Sequence, residues 1–94
     1  MTNLVMVISA FCHCATCCTV AGQPTASGAM PRVGVTVAGP RRIPFGTRIH
    51  IAGIGWRKVQ DRAAMKFDDR IDVFVRNHAE AVRFGIRHKL VFIP

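Results

Sequence analysis

Six short apolar runs, each bounded by Gly, Pro or polar residues, constrain this chain more than any other feature. Leu4–Phe11, Val33–Ala38, Thr47–Ala52, Trp56–Gln60, Ile71–Val75 and Lys89–Ile93 have the length of strands. Val33, Val35 and Val37 alternate with Gly34 and Thr36, and Ile49 and Ile51 repeat the two-residue period. Only one helix is signalled. Asn77 is a good N-cap with Glu80 three residues on, Ala81, Val82 and Phe84 supply an apolar side, and Gly85 is placed to end it. Between the fourth and fifth runs, Asp61–Arg70 reads as irregular and polar. In 94 residues this pattern makes a single domain, 1–94. Six short strands in so small a body would expose two sheet edges unless the sheet closes, so a mostly-β barrel of six strands with one short α-helix is expected.

Half of the residues are hydrophobic, which suits a packed core. Thirteen Lys and Arg against five Asp and Glu give a formal charge of +8. Such a surface predicts an anionic partner, whether nucleic acid, anionic lipid or an acidic polymer. The basic residues are scattered through the second half of the chain, Tyr is absent and Trp56 is the only Trp. A single-stranded nucleic acid would want basic and aromatic residues interleaved, so no nucleic-acid partner is expected. No apolar run approaches the roughly 20 residues needed to cross a bilayer. Leu4–Ala10 lacks a preceding Lys or Arg and a small-x-small site after it, so it reads as a strand rather than a clear signal peptide. Export by another route, trimming of a precursor, or action from a phage or lysing cell are the alternatives.

The four cysteines fall in one cluster, Cys12, Cys14, Cys17 and Cys18, with His13 among them. Short disulfides, a structural loop clasp and a zinc site are open readings. The lack of a second cysteine pair elsewhere puts the disulfide or clasp ahead of the metal. The five carboxylates, Asp61, Asp68, Asp69, Asp72 and Glu80, share one twenty-residue window. Acid/base chemistry has to come from this short list.

Several segments together go beyond a generic pattern. Thr25-Ala26-Ser27-Gly28, then VAGPRRIPFGT (37–47), IAGIGWRKVQDRAA (51–64), RIDVFV (70–75) and HAEAVRFG (78–85) follow in a characteristic order and spacing. In these the chain resembles the three-aspartate (3D) domain, a small double-psi β-barrel also found as the catalytic C-terminal part of membrane-bound lytic transglycosylase A. The resemblance covers nearly the whole chain from the cysteine cluster onward. It implies a six-stranded double-psi barrel and a peptidoglycan lytic transglycosylase of the cell envelope, wall or a phage, acting on glycan strands without a cofactor or metal. It also implies Asp72, in R-I-D-V-F, as the catalytic acid and base, with Asp61, in Q-D-R, supporting it eleven residues earlier. Thr25, Ser27 and Gly28 match the small-residue loop that lines the groove and holds sugar hydroxyls.

The chain departs from that pattern at three places. Gly39 stands where the first of the three aspartates precedes the turn proline, Ala63-Ala64 replaces a glycine pair, and Arg62 adjoins Asp61, where it could pair with the carboxylate. Gly39 and Ala63-Ala64 motivate an alternative, a cell-wall binding module of the same fold without turnover. Asp68 and Asp69 read as a solvated turn and Glu80 as a helix cap. His50, His78 and His88 show no ligand spacing. Trp56 reads as a core residue, although an exposed Trp would suit saccharide stacking.

Overall fold

The computed structural model describes residues 1–12 and 24–94. Strands β1 (Thr2–Phe11), β2 (Thr36–Ala38), β3 (Arg48–Ile51), β4 (Gly55–Asp61), β5 (Arg70–Phe74) and β6 (Arg87–Ile93) close into a barrel in the order β1-β5-β2-β4-β3-β6, with one helix, α1 (His78–Phe84). The expected mostly-β barrel of six strands with one short helix is therefore the observed fold. β1 with β5 and β2 with β4 run parallel, whereas the remaining four pairs are antiparallel. Among the described residues, closure leaves no free sheet edge.

The alternation seen in the sequence sorts inside from outside. Ile8, Val37, Ile49, Ile51, Val59, Ile71 and Val91 are all 0% exposed and fill the interior with Met6, Ile43 and Val73. Burial of each such side chain contributes about 1.5–3 kcal/mol.

Strand boundaries differ from the sequence expectation by one or two residues, with one larger exception. Residues 33–35 form a turn, not the start of β2, because Val35 N and Thr36 N both donate to Arg32 O, at 3.1 and 2.9 Å. Val33 is consequently exposed and only Val37 of the three valines is fully interior. The 61–70 segment contains one short 3₁₀ turn, Met65–Phe67. Asp68 is more than a solvated turn residue: its carboxylate accepts from Arg41 N at 3.0 Å and Arg41 Nη1 at 2.8 Å, tying this turn to the one after β2.

Asn77 caps α1 by accepting from Glu80 N at 2.9 Å, and Gly85, at φ +64°, ends it. The Glu80 side chain turns back to Arg76, accepting from its backbone N at 3.3 Å and pairing with its guanidinium at 3.3 Å. Trp56, read as core, stands 46% exposed on the outer wall. Cys12 is buried at the end of β1, while His13, Cys14, Cys17 and Cys18 lie outside the described residues. Among the described residues, no helix is long and apolar enough to cross a membrane.

Candidate active site

Four adjacent strands bring one row of residues together on the outside of the barrel. β1 pairs Ser9 with Asp72 of β5, β5 pairs Asp72 with Ala38 of β2, and β2 pairs Ala38 with Asp61 of β4. The two aspartates thus flank a single alanine. Two interstrand steps put their Cα atoms about 10 Å apart.

Local structure decides that both face the same way. Ile71 and Val73 point into the core, so Asp72 between them points out. On β4, Val59 is interior, and strict alternation would turn Asp61 inward two residues later. A bulge between Val37 and Ala38 prevents this, since Val37 faces Val59 while the next residue, Ala38, faces Asp61. The extra residue re-aims Asp61 onto the outer face beside Ala38, a common use of a bulge next to a functional site.

The aspartates differ in their surroundings. Asp61 Oδ1 accepts two backbone N–H groups, from Ala26 at 2.9 Å and Arg62 at 2.8 Å. Asp72 sits half-buried in the row and accepts from Ser9 Oγ. Burial pushes the Asp72 carboxyl above the usual carboxylate range. The Ser9 hydrogen bond and the Arg70 charge oppose the shift, and the nearby Asp61 charge adds to it. A carboxyl whose proton affinity is raised by burial beside a second carboxyl group is an arrangement suited to acid/base chemistry.

The Thr25–Gly28 loop lies against Asp61 through its backbone. Ala26 N reaches the carboxylate, and Ser27 N donates to Gln60 O at 3.1 Å. Thr25 is buried with its hydroxyl donating to Ala29 O at 2.7 Å. Ser27 is exposed, with Oγ 3.0 Å from Thr25 Oγ1, and Gly28 takes φ +93° to close the turn.

The Arg62 guanidinium does not pair with the Asp61 carboxylate and, of that residue, reaches only the backbone O, at 3.5 Å. The guanidinium instead reaches Ile43 O at 2.8 Å and Gly39 O at 3.3 Å and lies 4.1 Å from the Phe45 ring centroid. It braces the turn after β2, leaving the Asp61 carboxylate to the two backbone donors.

Gly39, where the 3D pattern has its first aspartate, donates to Asp61 O at 3.0 Å. A Cβ here would lie 3.1 and 3.3 Å from the two Val59 methyls and 3.7 Å from Ile71 Cδ1. The position looks into the core, and among the described residues the row carries two carboxyl groups, Asp61 and Asp72.

Ser9 is the member that sequence reasoning missed. Its partner lies 63 positions away across a parallel pair. Its only sequence signal is a polar residue in the otherwise apolar run Leu4–Phe11.

No family model matches the chain. It is 31% identical over 88 residues to YabE of Bacillus subtilis (strain 168), a protein whose name gives it a proposed role in cell wall shaping. The alignment takes in 89% of this chain and 21% of the relative. The chain thus spans about a fifth of the length of the curated relative it matches.

Proposed function

We propose that this barrel is a peptidoglycan-cleaving domain of the 3D type, a lytic transglycosylase acting at the cell envelope. The observation carrying the reading is the row Ser9–Asp72–Ala38–Asp61, in which one carboxyl is driven toward its protonated form and another is held by backbone donors. The likeness to a protein named for cell wall shaping supports the substrate class, and the +8 charge suits an anionic wall.

In the proposed reaction, protonated Asp72 gives its proton to the glycosidic oxygen between N-acetylmuramic acid and N-acetylglucosamine as the C1–O bond breaks. The Asp72 carboxylate then takes the proton of the muramic acid 6-hydroxyl, whose oxygen closes on C1 to form the 1,6-anhydro ring. No water is consumed, and Asp72 ends protonated as it began. Burial favours the protonated form of Asp72, the Asp61 charge adds to this, and Asp61 stabilises positive charge developing at C1.

Incubation of purified peptidoglycan with wild type and Asp72→Asn, followed by mass spectrometry of the soluble products, tests the reading. Anhydro-muropeptides from wild type alone are expected. Reducing-end products would replace the cyclisation with hydrolysis. Wall binding without release would make the domain a binding module, the role that the absence of a carboxylate at Gly39 would then explain.

A further inference from the structure

The outer wall of β3 and β4 carries a second concave site. A cleft of about 110 Å³ is lined by Gly34, Val35, Arg48, Trp56, Arg57 and Lys58. Trp56 lies five residues before Asp61, about 17 Å along the strand. Pairing sets Arg48 opposite Lys58 and His50 opposite Trp56, so these side chains share the outward face.

The lining has no carboxylate; of its three cations, Arg48 and Lys58 share the outward face with Trp56, whereas Arg57 is set opposite the interior Ile49. Among the described residues, the Arg–carboxylate pairs Arg41–Asp68 and Arg76–Glu80 lie elsewhere. Arg57 Nη1 donates to Trp56 O at 2.8 Å, while its Nε is buried without a hydrogen-bond partner. The indole is met at steep angles by His50 (centroids 5.3 Å, 68°) and Phe92 (6.2 Å, 87°), and the Arg48 guanidinium lies 5.5 Å from its centroid. These contacts orient the ring and still leave it 46% exposed.

We propose that this cleft binds an acidic saccharide, a sugar ring bearing a carboxylate or a phosphate. Cations without carboxylate partners answer the anionic group, and a half-exposed, oriented indole offers an apolar face to the C–H side of a sugar ring. A nucleic acid fits less well, because one ring and a cleft of this size provide no row of stacking platforms along a backbone. The site does not depend on turnover at Asp72.

Trp56 is the only tryptophan in the chain, so its emission reports on this cleft. The full chain is titrated with a hyaluronan tetrasaccharide (carboxylate), a phosphorylated mannose oligosaccharide (phosphate), neutral chitotetraose and a single-stranded DNA 12-mer. Saturable emission change is expected with an acidic saccharide at concentrations about tenfold below any response to chitotetraose. The stronger of the two acidic probes identifies the anionic group. Arg48→Gln with Lys58→Gln should weaken that binding about tenfold with an unchanged far-UV spectrum, whereas Asp72→Asn should leave it intact. Equal binding of neutral and acidic sugars, tighter binding of DNA, or no emission change with any saccharide would overturn the proposal. Because no cleavage is read, failure here is distinguishable from failure of the transglycosylase reading.

Discussion

The acidic row and the basic cleft occupy the same outer surface yet are built in opposite ways. In the row, side chains are mutually coupled: Ser9 bonds Asp72 and Asp61 acts on Asp72 through its charge, while at neighbouring Gly39 an added Cβ would meet the Val59 methyls of the core at 3.1 and 3.3 Å. In the cleft, Arg48 is exposed and Lys58 half-buried, no carboxylate lines the site, and a Cβ added at Gly34 would meet nothing within 4 Å. The same barrel thus separates a place that shifts a proton equilibrium from a place that presents fixed charge. Burial is what distinguishes them, because a desolvated carboxyl resists ionisation, whereas an exposed guanidinium or ammonium stays charged and available.

The sharpest way to break this comparison is Asp72→Asn. If Asp72 is the acid, product release should fall about 10²–10⁴-fold, while Trp56 emission titrations remain unchanged. The same substitution should raise the thermal midpoint at neutral pH. The sign follows from linkage. With the folded pKa above the unfolded one, the native state holds more protons between the two values. Stability is therefore full below the unfolded pKa and declines as pH rises through the raised one. Asn cannot ionise, so that pH-dependent decline should flatten in a denaturation series. Activity should fall over the same interval as wild-type Asp72 loses its proton.

The two glycines sharpen the contrast in packing. Gly39→Ala places a methyl group 3.1 Å from a Val59 methyl and should cost about 1–3 kcal/mol. Gly34→Ala has open space and only its φ of +85° to strain, at about 1–2 kcal/mol. Chemical denaturation of both variants checks the order. A Gly39→Ala protein as stable as wild type would mean that the core at Val59 yields to the added methyl group.

Salt should separate the two regions next. Raising ionic strength to about 1 M shortens the screening length to roughly 3 Å, which weakens exposed charge attraction far more than a buried coupling. Acidic-saccharide binding at the cleft should drop several-fold, while the pH at which the Asp72-dependent rate declines should barely move. A rate limb that shifts as strongly as the binding would place Asp72 in open solvent.

Much of the barrel was legible because alternation is a local signal: Ile49 and Ile51, or Ile71 and Val73, name their own inward face. The 33–35 segment misled for the same reason. Val33, Val35 and Val37 alternate in sequence, but the Arg32 carbonyl captures two successive N–H groups and makes a turn. In the candidate site, the two aspartates could be picked out by motif, yet their common orientation could not. It depends on a bulge whose existence is set by pairing between β2 and β4. Arg62 was legible as a neighbour of Asp61 but not as a brace for Ile43 O, because that carbonyl reaches it only through the fold.

Ser9→Ala is the smallest and most discriminating change. The hydroxyl donates to Asp72, and this bond favours the ionised carboxyl against the larger effect of burial. Removing it should push the Asp72 pKa further up, so the alkaline decline of the cleavage rate should move to higher pH while the rate at acidic pH changes little. Loss of one hydrogen bond of this kind costs about 1 kcal/mol in stability, measurable by denaturant titration. If Ser9 were only a packing residue, stability would fall and the pH profile would stay in place. Ser9→Thr keeps a hydroxyl on a β-branched side chain suited to a strand, and should restore the wild-type profile. A displaced limb in Ser9→Ala that returns in Ser9→Thr would identify the hydroxyl as a positioning group that tunes Asp72 from the neighbouring strand.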